Sequence, residues 1–197
     1  MRYISLEEFQ SSKKYRTIPC HEKSLVGDLQ RGKISVIVLE CNLQRAYGSP
    51  MHKMAIRQWP ALASFGPEHP SVPHLGQIEN YTCPMSTPNR LKIVSNLYSG
   101  QSVIGVPIPG SNRMITKQER FSPDAFKKGM IKLVKGLRAA HPGYDFDRQI
   151  AVQRFGGGYA GHDWEEIQAV LDEVCVELEL SIFAYLPRKI GNIPTRG

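Results

Sequence analysis

One short apolar run limits most strongly what this chain can fold into. The residues from Ile34 to Leu39 are almost all apolar and mostly β-branched, and they follow Gly32 and Lys33. A run of this kind, without alternation between apolar and polar residues, is typical of a strand that is covered on both faces. It predicts a strand inside a largely parallel sheet.

Helix and strand signals alternate along the rest of the chain. Ser122 before Pro123 predicts a helix start, and apolar residues then recur at helical spacing until His141. A second long helix is predicted from Trp164 to Leu178, with Asp163 as its N-cap. The other predicted elements are a short helix over residues 51–59 and strands over residues 76–83, 91–97, 150–155 and 181–186. Strands that alternate with helices imply β-α-β crossovers and an α/β fold with a largely parallel or mixed sheet flanked by helices.

The length and composition of the chain suit one folded domain. It has 197 residues, of which 41% are hydrophobic and 22% charged, as in ordinary globular proteins. We assign residues 1–23 to an N-terminal extension, residues 24–190 to the domain and residues 191–197 to a C-terminal tail.

The charge balance favours an anionic partner. The chain has 25 Lys and Arg against 18 Asp and Glu, which gives a net charge of +7. The basic residues lie in short, scattered clusters, whereas a nucleic-acid binder usually shows a dense basic stripe. Phosphates, nucleic acid and acidic membrane surfaces are anionic partners of this kind, and the scattered clusters disfavour nucleic acid.

The cysteines and the hydropathy pattern exclude several other classes. The four cysteines are far apart and form no C-x-x-C pair, so we expect buried free thiols and no metal site or cofactor. The N-terminus has no apolar signal segment, and no stretch of 18 uncharged apolar residues is present. We therefore expect a cytoplasmic protein that does not enter a membrane.

Two segments have the form of an anion-binding loop between a strand and a helix. One spans residues 40–49 and contains Asn42, Gly48 and Ser49; the other spans residues 155–164 and contains three consecutive glycines. Loops at the carboxyl ends of parallel strands lead into helix N-termini, where backbone N–H groups point outward. Glycines let such a backbone approach a pyrophosphate without interference from Cβ atoms. A flexible turn is the alternative explanation, because neither a P-loop nor a G-x-G-x-x-G fingerprint is present.

The order of these segments along the chain resembles the macro-domain family. The resemblance covers about residues 24–186 and rests on Val26-Gly27-Asp28-Leu29, Cys41-Asn42, Gly48-Ser49, Leu75-Gly76-Gln77-Ile78, Ile93-Val94-Ser95-Asn96-Leu97 and the glycine segment at 155–164. It points to the branch of ADP-ribose 1″-phosphatases and related de-ADP-ribosylating proteins. The resemblance implies a three-layer α/β/α fold with a mixed, largely parallel sheet. It also implies an ADP-ribose-like nucleotide as ligand and an ADP-ribosylated macromolecule as a further partner.

The resemblance also assigns roles to single residues. It implies that Asp28 accepts the adenine amino group and that Asn42 lies near the distal ribose, with loop capping as the alternative role of Asn42. Tyr159 would cover a sugar face or serve in ordinary packing. The full set of implied ligand-binding residues is Gly27, Asp28, Leu29, Asn42, Gly48, Ser49, Phe155, Gly156, Gly157, Gly158 and Tyr159.

The catalytic candidates are Asn42, His52, His162 and Asp163. An imidazole titrates near neutral pH, and an adjacent carboxylate can fix its protonation state. Alternatively, Asp163 only caps a helix that His162 flanks. The family commonly has a second glycine in the first loop, whereas this chain has Pro50, which lacks an N–H donor.

Three functions therefore stay open. The first is hydrolysis of a terminal phosphate or an ADP-ribosyl bond by an ADP-ribose 1″-phosphatase or ADP-ribosyl hydrolase. The second is a non-catalytic sensor or sequestering module for the same nucleotide. The third is a structural protein that kept the fold and lost the pocket.

Overall fold

The apolar run lies inside a six-stranded sheet in the computed structural model. The structure describes residues 15–20, 24–45, 49–84, 91–101, 107, 110–114, 121–153 and 164–185. The strands within these residues are β1 (Thr17–Cys20), β2 (Val36–Asn42), β3 (Ile78–Thr82), β4 (Ile93–Gly100), β5 (Ile150–Gln153) and β6 (Ile182–Tyr185). The helices are α1 (Leu25–Gln30), α2 (Pro50–Gln58), a 3-10 helix (Pro60–Phe65), α3 (Pro123–Ala140) and α4 (Trp164–Leu178).

The sheet is mixed and largely parallel, as predicted. Its strand order is β1-β6-β5-β2-β4-β3. Each pair of neighbours is parallel except β3 and β4, which are antiparallel. β2 therefore lies between two parallel partners, and its lack of polar alternation reflects the burial of both its faces.

Helices cover both faces of this sheet. On β2, Val36 and Val38 pack in the cluster that includes α3 and α4, whereas Ile37 and Leu39 pack in the cluster that includes α1 and α2. This division follows from the two-residue period of a strand. The predicted three-layer α/β/α arrangement is confirmed.

The two long helices form where the sequence predicts them. The Ser122 hydroxyl accepts a hydrogen bond from the Ala125 amide at 3.2 Å, and α3 ends where His141 follows it. In α4, the buried face carries Trp164, Ile167, Leu171 and further apolar residues toward its C-terminus. The N-cap predicted for α4, at residue 163, lies outside the described residues.

Three elements, α1, β1 and the 3-10 helix, are not predicted by the sequence. α1 has only six residues, which are too few to show a helical period. β1 lies within the predicted extension of residues 1–23, yet Thr17 to Cys20 pair in parallel with β6. The sheet therefore starts upstream of residue 24.

The thiol prediction is confirmed: Cys20, Cys41, Cys83 and Cys175 are buried free cysteines. Within the described ranges, no three His, Cys, Asp or Glu side chains are grouped as a metal site would need. The helices in those ranges are all too short or too polar to cross a membrane.

Candidate functional site

The two strands that precede the predicted loops end side by side at one edge of the sheet. β2 and β5 are parallel neighbours, with Val38 opposite Val152, so both end at the same carboxyl edge. The next helix after β2, α2, packs on one face of the sheet, and the next helix after β5, α4, packs on the other. In open α/β sheets, ligands bind at such a topological switch point.

Six of the predicted site residues lie in the described part of the chain and eight lie outside it. Gly27, Asp28, Leu29, Asn42, Ser49 and His52 are described. The predictions for Gly48, Phe155, Gly156, Gly157, Gly158, Tyr159, His162 and Asp163 fall on residues outside the described ranges.

Asn42 is the last residue of β2 and lies at the predicted edge. A β-bulge separates it from Cys41, so that Cys41 faces Tyr98 on β4 and Asn42 faces Gly100. The Asn42 Oδ1 accepts a hydrogen bond from the Gln44 amide at 3.0 Å. The loop-capping role is therefore present, and the contact with ribose stays a prediction.

Glu40 lies beside Asn42 and is not among the residues that the sequence predicts. Its carboxylate is half-buried, and burial raises the pKa to about 7 although a hydrogen bond from Ser99 acts in the opposite direction. The Ser99 hydroxyl is 3.4 Å from Oε1. The sequence feature that could have identified Glu40 is that it is the one charged residue in a mostly apolar strand.

Arg45 anchors the start of the loop that follows β2. Its backbone is left-handed, with φ of 54°, and its side chain is buried. The guanidinium donates two hydrogen bonds to Glu79, at 2.7 and 2.6 Å, and one to the Tyr98 hydroxyl at 2.7 Å. It also donates to the carbonyl oxygens of Phe65 and Ser71, each at 3.0 Å. These contacts hold the start of this loop against β3, β4 and the chain around Phe65 and Ser71.

His52 does not have the surroundings of an acid–base group. The ring is 5% exposed, with Nδ1 2.7 Å from the Ser49 Oγ and Nε2 3.3 Å from the Cys41 Sγ. Burial lowers the pKa of His52 to about 4, so the ring is neutral at pH 7. Ser49, a predicted binding residue, caps α2: its Oγ accepts a hydrogen bond from the His52 amide at 3.2 Å. The ring therefore fastens α2 to β2, and we leave His52 out of the proposed chemistry.

Asp28 accepts hydrogen bonds, as its predicted role requires, but its donors in this structure are other residues of the protein. The Tyr185 hydroxyl donates to Oδ2 and the Arg31 guanidinium donates to Oδ1, each at 2.6 Å. Burial alone would raise the pKa of Asp28; the hydrogen bonds from Tyr185 and Arg31 and the positive charges of Arg31 and Lys33 outweigh it, so the net shift is downward. An adenine amino group at Oδ1 would share this oxygen with Arg31 or replace Arg31, whose side chain is 56% exposed.

The neighbours of Asp28 differ in what they offer a ligand. A Cβ on Gly27 would lie 3.1 Å from the Arg31 Nη1, so the small residue keeps room for that side chain. Leu29 is fully buried in the core and has no side-chain surface for a ligand. The side chain therefore packs in the core on the inner face of α1, and a ligand contact through the Leu29 backbone stays a prediction.

The backbone is similar to several solved structures, although no family profile and no curated protein sequence matches the chain. The macrodomain of Mycobacterium tuberculosis DarG is 15% identical with a TM-score of 0.57, over 86% of this chain and 97% of that chain. The macrodomain of Thermus aquaticus DarG is 17% identical with a TM-score of 0.54, over 86% of this chain and 98% of that chain.

The chain has the macrodomain fold. A further similar structure is Thermosipho africanus DarTG in complex with ADP-ribose, at 13% identity and a TM-score of 0.57. The similarity covers 81% of this chain and 40% of that chain. In this fold, the described candidate residues are Asn42 and Glu40 at the end of β2, Asp28 on α1 and Arg31 directly after α1.

Proposed function

We propose that the protein binds ADP-ribose or a related nucleotide diphosphate at the carboxyl edge of β2 and β5. The observation that carries the proposal is the switch point, where neighbouring parallel strands lead to helices on opposite faces of the sheet. The net charge of +7 favours a phosphate-bearing ligand. The similarity to DarTG, whose structure holds ADP-ribose, supports this ligand class.

Different residues bind the different parts of the nucleotide. The backbone of Gly48 and of Gly156 to Gly158 holds the diphosphate, because glycine amides can approach phosphate oxygens closely. Asp28 accepts the adenine amino group in place of Arg31, and Asn42 binds the distal ribose.

Titration calorimetry and thermal unfolding with ADP-ribose test the binding. At a free ligand concentration about 100 times the dissociation constant, a ligand that binds only the folded state adds about 2.7 kcal/mol of stability. Asp28→Ala should weaken binding of ADP-ribose but not of ribose 5-phosphate, which lacks adenine. Lys127→Ala, which removes an ion pair with Glu173 between α3 and α4, serves as the control. The absence of both heat and a thermal shift at millimolar ADP-ribose would favour a protein without a functional pocket.

We propose hydrolysis as the finer form of this function. Asn42 and Asp163 would position a water molecule, and the glycine loop would stabilise developing negative charge at the reacting end of the nucleotide. The substrates to try are ADP-ribose 1″-phosphate and an ADP-ribosylated protein. Product formation that Asn42→Ala abolishes, with an unchanged melting temperature, supports hydrolysis. Tight binding without product supports the sensor or sequestering module.

A further inference from the structure

Glu40 and Asn42 border the same small space at the end of β2. A Cβ on Gly100 would lie 2.7 Å from the Glu40 Oε1 and 3.2 Å from the Asn42 Cβ. The two side chains are therefore neighbours in spite of the β-bulge at Cys41 and Asn42. The glycine at position 100 leaves the room that the Glu40 carboxylate occupies.

The Glu40 carboxylate has few hydrogen-bond donors around it. An ionised carboxylate can accept about four hydrogen bonds, and buried carboxylates are normally paired. In the described part of the chain, Glu40 has one hydrogen bond, the long contact of 3.4 Å from Ser99, and no Lys, Arg or His within ion-pair distance. Glu79 differs, because its two carboxylate oxygens accept hydrogen bonds from Arg45 and Tyr98. The described residues thus leave part of the acceptor capacity of Glu40 unused.

The chemistry of a carboxylate limits which ligand group can lie there. It accepts hydrogen bonds and repels anions, so a phosphate beside it is disfavoured. A vicinal diol suits it, since its two hydroxyls can donate to the two carboxylate oxygens. In the proposed orientation, Asn42 binds the distal ribose, and this sugar carries such a diol, as the adenosine ribose does at the other end of the nucleotide.

We propose that Glu40 is a specificity residue that accepts hydrogen bonds from the hydroxyls of the distal ribose and disfavours a phosphate group there. This inference rests on the proposed function. It separates two ligand classes that the overall fold does not distinguish: nucleotides that end in an unmodified sugar and nucleotides whose terminal sugar carries a phosphate.

The test compares ADP-ribose with ADP, which shares the adenosine diphosphate but lacks the distal ribose. Calorimetry at pH 8 measures both ligands on the wild type and on Glu40→Gln, which keeps the shape of the side chain and removes its charge. We expect Glu40→Gln to weaken ADP-ribose by about ten-fold or more and ADP by less than about two-fold. The same variant should bind ADP-ribose 1″-phosphate more tightly relative to ADP-ribose than the wild type does.

A second variant reaches the same carboxylate from the other strand. Gly100→Ala places a Cβ 2.7 Å from the Glu40 Oε1 and 3.2 Å from the Asn42 Cβ. The carboxylate must therefore shift, and the variant should also weaken ADP-ribose more than ADP. Because the two substituted residues are in contact range, their effects should not add: the double variant should lose less ADP-ribose affinity than the two single losses combined. Gly136→Ala, which has no atom within 4 Å of the added Cβ, is the control.

The outcomes separate this inference from the proposed function. In one outcome, the wild type binds ADP-ribose while Glu40→Gln affects ADP-ribose and ADP equally, or affects neither. This result overturns the role of Glu40 and leaves the proposed function standing. Wild type that binds neither ligand overturns both. Selective loss of ADP-ribose in both variants supports the role.

Discussion

At the scale of single residues, most buried polar side chains near the candidate site bind one another. The His52 ring hydrogen-bonds to both Ser49 and Cys41, and Asp28 accepts a hydrogen bond from the Tyr185 hydroxyl. Buried polar groups without such partners cost free energy, so these pairs stabilise the fold whether or not a ligand is bound. Glu40 differs because its one hydrogen bond within the described ranges is long.

The pH dependence of stability tests the environment of His52. Burial lowers its pKa to about 4, whereas the unfolded chain has the ordinary value of 6.5. The unfolded state therefore binds a proton first, and the stability contributed by neutral His52 is complete above pH 6.5 and is lost as the pH falls toward 4. The loss amounts to about 3 kcal/mol. We expect the stability difference between wild type and His52→Gln to shrink over this range in urea unfolding.

Glu40 titrates in the opposite sense and supplies the control. Its pKa is raised from the ordinary 4.5 to about 7, so its contribution is complete below pH 4.5 and is lost as the pH rises toward 7. The difference between wild type and Glu40→Gln should therefore change in the direction opposite to that of His52→Gln. A stability difference for His52→Gln that stays constant from pH 7 to pH 4 would contradict the burial of a neutral ring.

At the scale of one element, α3 holds two glycines with opposite surroundings. A Cβ on Gly129 would lie 3.0 Å from Leu97 side-chain atoms on β4, while a Cβ on Gly136 would meet no atom within 4 Å. We expect Gly129→Ala to destabilise the protein by about 1–3 kcal/mol through overpacking. Gly136→Ala should stabilise it by about 0.5–1 kcal/mol, since alanine suits a helix better than glycine.

The two variants form a matched pair because the helix and the substitution are the same. Urea unfolding with a common m-value measures both changes in the free energy of unfolding. Equal effects from the two substitutions would mean that α3 does not pack against Leu97 as described.

At the scale of the whole molecule, the core encloses all four thiols of the chain. Burial is the largest cause that raises the pKa of Cys83 and of Cys175 to about 12, and that of Cys41 well above its ordinary value. Because the thiolate is the reactive form, a thiol reagent at pH 8 should not react with the folded protein within minutes. In denaturant, four equivalents should react. Rapid reaction of one equivalent in the native protein would show that one of the four thiols is accessible to solvent.

The sequence predicts the elements whose signals are local. The apolar run of β2, the capped start of α3 at Ser122 and the apolar stripe of α4 each depend on neighbours along the chain, and each is confirmed. β1 and α1 are too short for such signals. The resemblance to macro domains also predicts the three-layer fold, because the order of its segments fixes how strands and helices alternate.

The surroundings of the site residues were decided by tertiary structure alone. Asp28 meets Tyr185 from 157 residues away, and Arg45 meets Glu79 from 34 residues away. Glu40 owes its position to the missing side chain of Gly100 on the next strand. A sequence shows which groups can donate, accept or carry charge. Which of them come within about 3 Å of each other, and so which remain available to a ligand, depends on packing between segments far apart in the chain.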